Sequence, residues 1–312
     1  MSSVIKAAGI EKNFGNINAL EGVSFEVSEG SITGLIGPDG AGKSTMMKIV
    51  LTLVKADKGS VSVLSVNPDI DKSYIRHNTG YMPEIFSLYT DLTVEENLKF
   101  YFTIHRMDKN EYEKKIERLY RFSRLENFAS TKAGSLSGGM KQKLALSCAL
   151  MHDPRLLILD EPTTGVDPLS RQEFWEMLQE LKEGGVSILV STPYMEEAIK
   201  CDYVYMMHKG KIIGEGIPEN LSREFDGNLY EFGIPGRKPQ EFLSSLKELF
   251  RGDPVFMSGK KVHLASKGGG QLSDIRTKTS SLDKGLMMKQ IDPELEDIFI
   301  IRVLEEDSDR ND

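Results

Sequence analysis

The stretch Gly37-Pro38-Asp39-Gly40-Ala41-Gly42-Lys43-Ser44-Thr45 reads G-x-x-x-x-G-K-S and follows the apolar run Ser31 to Ile36. A strand feeds a glycine loop, and the helical run Thr45 to Leu51 follows it. This is the setting of a phosphate-binding loop. Glycines let backbone N–H groups turn inward, Lys43 sets a positive point charge against β- and γ-phosphates, and the Ser44 hydroxyl can ligate Mg²⁺. A second chemical group stands where Leu156-Leu157-Ile158-Leu159 ends in Asp160 and Glu161. A short, wholly apolar strand is buried on both faces, as in a parallel sheet, and ligands gather at the carboxyl ends of such strands. Asp160 is placed to hold the Mg²⁺ that Ser44 also holds, and Glu161 to polarise a water attacking the triphosphate.

Two weaker signals accompany these. Leu136-Ser137-Gly138-Gly139-Met140 opens a helix with Ser137 as its N-cap. Two glycines at a helix start are costly unless backbone must approach something, so either a second anion site or a plainly capped helix fits. Phe14 sits in the polar turn Phe14-Gly15-Asn16-Ile17-Asn18, where it could stack on a purine or cap the edge of a sheet.

The elements that carry these groups follow from periodicity. Val4 to Ile10 and Val23 to Val27 read as strands, as do Gly59 to Val66, Gly80 to Met82, Val186 to Ser191, Tyr203 to Met207 and Lys211 to Gly214. From Thr93 to Leu125 apolar residues repeat at helical spacing among charges, which predicts an all-helical insertion between about Glu84 and Ala133. Asp91 or Thr93 caps its first helix. Pro168 to Lys182 is a further helix. Beyond about Glu224 the pattern changes to an amphipathic helix through Phe242 and Leu246, a hairpin over Val255 to Ala265, a flexible turn at Gly268-Gly269-Gly270 and a last helix through Leu295 and Val303. An acidic, frayed tail begins at Glu305. The fold class expected is α/β over residues 1–223, followed by a small α+β domain over 224–312.

Composition narrows the function. The chain has 312 residues, 39% hydrophobic and 28% charged, with a net charge of −8. Broad nucleic-acid binding needs a basic face, so no nucleic-acid partner is expected. The N-terminus lacks the apolar core of a signal peptide, and no run reaches the roughly 18 apolar residues of a membrane span. Any membrane link must come through a partner. Cys148 and Cys201 lie far apart with no ligand spacing and read as inert thiols.

In this order, the glycine loop, Leu136 to Gln142 and Leu156 to Pro162 resemble the ATP-binding cassette (ABC) ATPases, over about residues 4–222. They resemble in particular the ATPase subunits of the daunorubicin-resistance-type exporter class, and Asp292 to Phe299 is similar to that class's closing helix. The resemblance implies a P-loop NTPase fold with an antiparallel β-subdomain and a helical insertion. It makes Gly37, Asp39, Gly40, Gly42, Lys43, Ser44 and Thr45 the Walker A loop, Asp160 and Glu161 the Walker B pair, and Phe14 the adenine-stacking aromatic. Ser137, Gly138 and Gly139 become the signature loop, which completes the ATP site of a second subunit, and Gly165-Val166-Asp167 the loop that contacts that subunit. It further implies ATP and Mg²⁺ as ligands, a head-to-tail dimer with a second cassette of the same or another chain, and a separate integral-membrane permease that docks on the helical insertion. The location implied is peripheral, on the cytoplasmic face of the cell membrane.

Two positions depart from the family pattern. Glu84 stands where the family has Gln; it can offer Mg²⁺ an oxygen but cannot donate, and unscreened it opposes a γ-phosphate by on the order of 4 kcal/mol at 4 Å. Pro193 stands where the family has His and offers no side-chain hydrogen bond. The expectation is an ATP-hydrolysing exporter subunit whose own site turns over slowly. The alternative is a structural or regulatory cassette that clamps ATP with little hydrolysis. A soluble cassette acting on DNA or ribosomes would carry coiled coils or a second cassette, and neither is present.

Overall fold

Two long strands, β1 (Ser3–Phe14) and β2 (Ile17–Ser28), open the chain as an antiparallel hairpin whose turn starts at Gly15, with φ of 60°. Then come β3 (Ile32–Ile36), α1 (Lys43–Val50), β4 (Lys58–Val63), α2 (Lys72–His77) and β5 (Thr79–Met82). The helical stretch holds α3 (Val94–Ile104), α4 (Tyr112–Ser123) and α5 (Gly138–Ala149). After it come β6 (Leu156–Asp160), α6 (Pro168–Glu183), β7 (Ser187–Thr192), α7 (Met195–Ala198), β8 (Tyr203–His208) and β9 (Lys211–Gly216). The computed structural model describes residues 2–234, 236, 238–266, 272–279 and 285–309, in two units, Met1–Ile212 and Ile213–Asp312.

Two sheets make the first unit. An antiparallel one runs β2-β1-β4, and a six-stranded one runs β5-β6-β7-β3-β8-β9. In the latter, β5, β6, β7, β3 and β8 are parallel, and every residue of β3, β6 and β7 is buried. Central parallel strands are covered on both faces, which is why they read as unbroken apolar runs. The order β6-β7-β3 places the ends of all three strands side by side, where their loops converge.

Local chemistry sets the helix ends. Thr93, rather than Asp91, caps α3: its hydroxyl accepts from Glu96 N–H while the Glu96 carboxylate accepts from Thr93 N–H. Such a cap contributes about 1 kcal/mol. Val94, Leu98, Phe102, Ile116 and Leu119 form the buried face of α3 and α4. Phe102 belongs to that core, edge-on to Tyr112 at 4.9 Å.

β4 is shorter than its alternation predicts. Leu64 and Ser65 adopt left-handed φ of 52° and 64°, and the chain folds back so that Val66 bonds to Val63.

The second unit contains α8 (Pro218–Arg223), β10 (Asn228–Gly233), α9 (Gln240–Leu249), β11 (Val255–Ser258), β12 (Lys261–Ser266), α10 (Leu272–Thr279), β13 (Met287–Ile291) and α11 (Leu295–Asp309). Its antiparallel sheet runs β11-β12-β10-β13. Alternation splits the strands between two cores. Tyr230, Phe232, Val262 and Leu264 pack with Phe242, Leu246 and Ile275, while Leu229, Phe256 and Ala265 pack with Ile301. Strands β10 and β13 and helix α10 lack a clear sequence signal. Helix α11 continues to Asp309, so the acidic stretch from Glu305 is helical rather than frayed. The turn expected at Gly268 to Gly270 lies outside the described residues.

Candidate functional site

The loop after β3 ends at Gly42, whose φ of 105° suits glycine and where a Cβ would stand 2.6 Å from the Ala19 carbonyl oxygen. No side chain caps α1 and no acidic residue lies in its first turn. Its leading N–H groups and positive helix end therefore face the loop, the arrangement that receives phosphate.

Lys43 is buried and fully engaged. Its ammonium donates to the carbonyl oxygens of Gly37 at 2.7 Å and Pro38 at 3.0 Å, and it pairs with Glu161 Oε1 at 3.0 Å. Its neighbour Ser44 donates to Asp160 Oδ1 at 3.0 Å across 116 positions of sequence. The structure thus brings Lys43, Ser44, Asp160 and Glu161 together. Glu161 holds a left-handed φ of 48°, a conformation costing a side-chain-bearing residue about 1–2 kcal/mol, and Thr164 Oγ1 donates to its Oε2 at 3.3 Å.

The oxygens fit Mg²⁺. Ser44 Oγ and Asp160 Oδ1 are adjacent hard donors beside the loop, and no hydrogen bond reaches Asp160 Oδ2 among the described residues. No group of three His, Cys, Asp or Glu side chains that could hold a metal occurs among the described residues. Mg²⁺ needs none, because it binds through one or two carboxylates with substrate phosphates and water.

Glu84 is exposed just past β5 and makes no hydrogen bond or ion pair among the described residues. Its charge is felt at Tyr81, whose hydroxyl is pushed up to about 12 by burial first and then by Asp160 and Glu84. Phe14 ends β1 with 49% of its surface exposed and Lys12 Nζ 5.3 Å from its ring centre. A bare aromatic face at that place is available for stacking.

Ser137 caps α5, accepting from Met140 N–H at 3.3 Å. Gly139 approaches α6: a Cβ there would stand 2.4 Å from Ser170 Oγ, so helix packing already requires this glycine. Gly138 and Ser137 are exposed. No hydrogen bond or ion pair joins Ser137, Gly138 or Gly139 to the 37–45 loop among the described residues. Asp167 caps α6, and hydrogen bonds from the Ser170 backbone and side chain hold its carboxyl below the usual range.

Sequence reasoning missed the residues that join these parts. Ser191 and Thr192 end β7 between the loop and the carboxylates, and buried Glu197 accepts from Thr163 Oγ1 and Thr192 Oγ1, each at 2.5 Å. Arg171 lies 3.4 Å from Glu197 and 4.4 Å from the Tyr194 ring centre. The available signal was two hydroxyls closing an apolar strand.

A parallel sheet with a phosphate loop after one strand and two carboxylates at the end of the next strand but one defines a P-loop nucleoside triphosphatase. The ABC transporter family profile matches residues 20–164. Over 300 residues the chain is 37% identical to the probable multidrug ABC transporter ATP-binding protein YbhF of Escherichia coli, covering 96% of this chain and 52% of that protein. It therefore spans about half the length of that relative. Over 303 residues it is 36% identical to the Nod factor export ATP-binding protein I of a Rhizobium species, covering 96% of this chain and 97% of the relative. A dimeric ATP-binding cassette in a post-hydrolysis state, bound to ADP and phosphate, matches with a TM-score of 0.63 at 28% identity over 68% of this chain and 98% of that one. This chain belongs to the ABC transporter ATP-binding proteins, a family whose general activity is ATP hydrolysis. These relatives lend no support to the alternative of a structural or regulatory cassette. Among the described residues no helix is long and apolar enough to cross a membrane.

Proposed function

We propose that this chain is the ATP-binding and ATP-hydrolysing subunit of an exporter, paired head to tail with a second cassette and driving a separate integral-membrane permease from the cytoplasmic face. The observation that carries the reading is the convergence of Lys43, Ser44, Asp160 and Glu161 at the carboxyl ends of β3 and β6. The names of the relatives support export.

In this reading the phosphates displace Glu161 and the Gly37 and Pro38 carbonyls from Lys43, and freed Glu161 takes a proton from the attacking water. Ser44 and Asp160 would hold Mg²⁺, which would supply positive charge against the triphosphate. Gly37, Asp39, Gly40, Gly42 and Thr45 cradle the phosphates, Phe14 stacks on adenine, and Glu84 offers a further oxygen to Mg²⁺. Ser137, Gly138 and Gly139 complete the second cassette's site. Exposed Ile85 and Tyr89 at the start of the helical insertion support it as the permease-docking face. Residues 1–223 act as the nucleotide-binding domain, and 224–312 as an accessory domain for assembly or regulation.

Glu84 and Pro193 slow this chain's own site, and pairing with an ordinary cassette then makes the two sites unequal. Steady-state ATPase rates in the intact complex test this. Ser137→Arg, which blocks close approach of backbone to phosphate, abolishes most turnover while Glu161→Gln reduces it modestly. Equal, near-complete losses overturn the unequal pair, because losing the carboxylate of a working site costs on the order of 10²-fold or more.

A further inference from the structure

β7 lies between β3 and β6 in the sheet, so its last two residues stand between the phosphate loop and the carboxylates. Ser191 is wholly buried, and its hydroxyl is used in both directions. It donates to Asp160 Oδ1 at 2.7 Å and accepts from Glu161 N–H at 2.9 Å. The next residue, Thr192, accepts at its carbonyl from Gly37 N–H at 3.3 Å. Its own hydroxyl is held by Glu197, which also grips Thr163 two residues beyond Glu161.

Each contact has a distinct effect. The bond to Asp160 turns that carboxylate to a fixed angle, and ligating carboxylates depend on such outer partners. The bond from Glu161 N–H secures a residue held at left-handed φ of 48°, a conformation that persists only where its surroundings over-determine it. Glu197 closes the same segment from the other side, with both oxygens occupied by hydroxyls.

We infer that Ser191 is a positioning residue for the triphosphatase site, setting Asp160 toward the metal and Glu161 toward water through one hydroxyl, with Glu197 as its anchor. Pro193, the very next residue but one, adds no donor of its own, so the contribution of this strand end passes through Ser191 and the Thr192 backbone. The inference rests on the ATPase reading for its chemical meaning. The bond to Glu161 N–H exists without nucleotide and can be measured apart from that reading.

The test uses the full-length chain and its Ser191→Ala, Ser191→Thr and Glu197→Gln variants. Hydrogen exchange of the nucleotide-free protein reads the Glu161 amide. Ser191→Ala loses its protection while the amides of Leu157 to Leu159 keep theirs, and Ser191→Thr retains it. Calorimetry then compares ATP binding with and without Mg²⁺. Ser191→Ala weakens the Mg²⁺-dependent part about 10- to 100-fold, as loss of an outer-shell partner does, and leaves metal-free ATP affinity unchanged. Glu197→Gln shifts both readouts in the same direction by less.

Wild-type Glu161 protection in Ser191→Ala, or an unchanged Mg²⁺ increment, overturns the inference. A uniform fall in melting temperature with neither local change marks Ser191 as merely structural and overturns it too. Should Ser191→Ala fail to fold, Ser191→Cys, which keeps the volume but bonds weakly, takes its place with the same expected losses. If the wild-type chain binds no ATP at all, the ATPase reading fails, and the exchange arm alone still decides whether Ser191 holds Glu161.

Discussion

Two buried ionic clusters in this chain are closed in opposite ways. In the first unit Lys43 and Glu161 pair at 3.0 Å, with Lys43 otherwise held only by backbone carbonyls and Glu161 in a left-handed conformation. In the second, His263 Nδ1 meets Asp297 Oδ1 at 2.8 Å and its Nε2 lies 3.8 Å from Glu231, while Asp297 Oδ2 accepts from Glu294 N–H at 3.0 Å. Sheet register makes the Glu231 side of the second cluster, where Glu231 stands opposite His263 on one side and Lys289 on the other, and helix α11 supplies Asp297. Burial alone would raise the Glu231 carboxyl, but hydrogen bonds and charge from Lys289 and Lys261 outweigh it and hold it below the usual range. Strand ends of a parallel sheet leave groups whose partners can be exchanged for a ligand. Cross-strand pairs of an antiparallel sheet satisfy one another and leave nothing to exchange.

The strongest test of that contrast is Lys43→Ala. It removes charge-assisted donors to phosphate, and calorimetry should show ATP affinity reduced about 100-fold. Wild-type affinity in this variant would break the comparison, because the first cluster would then be as closed as the second.

Asp297→Ala is the converse. It strips buried His263 of its close partner, at a cost of about 1–3 kcal/mol, so a thermal scan should show the second unit melting earlier. ATP affinity should stay at the wild-type value; a matching loss of binding would show that the second cluster serves the nucleotide site after all.

Phe14→Ala sharpens the picture of the first site. Loss of one stacking face weakens ATP binding about 2- to 10-fold, from the 0.5–1.5 kcal/mol of an aromatic contact. No change would assign Phe14 to the sheet edge instead.

His152 gives the smallest effect and the clearest pH signature. Unlike His263 it has no carboxylate partner among the described residues; it stacks on His105 at 3.9 Å, with Nε2 3.3 Å from the Thr79 carbonyl oxygen. Burial, followed by the charge of His105, depresses it from 6.5 to about 4. A base depressed in the folded state binds fewer protons there than when unfolded, so its stabilisation is complete above 6.5 and falls away as pH drops through about 4. Denaturant titrations across that window should show the decline, and His152→Gln should flatten it.

By itself the sequence determined what depends on neighbours along the chain. The glycine spacing before Lys43, the apolar run ending at Asp160 and the Ser137 cap are local, because phosphate loops, buried strands and helix caps are built from residues a few positions apart. For the same reason the cap of α3 was narrowed to Asp91 or Thr93, and the bonds with Glu96 place it at Thr93. Tertiary structure decided the rest. Ser44 finds Asp160 across 116 positions and Ser191 finds it across 31, both through the strand order β6-β7-β3, which no periodicity encodes. Gly139 owes its identity to the distant Ser170, and His263 and Asp297 meet across 34 positions through the packing of α11 on β12. The fold brought Ser191 into the site because a hydroxyl at a strand end announces nothing until its neighbours in space are known.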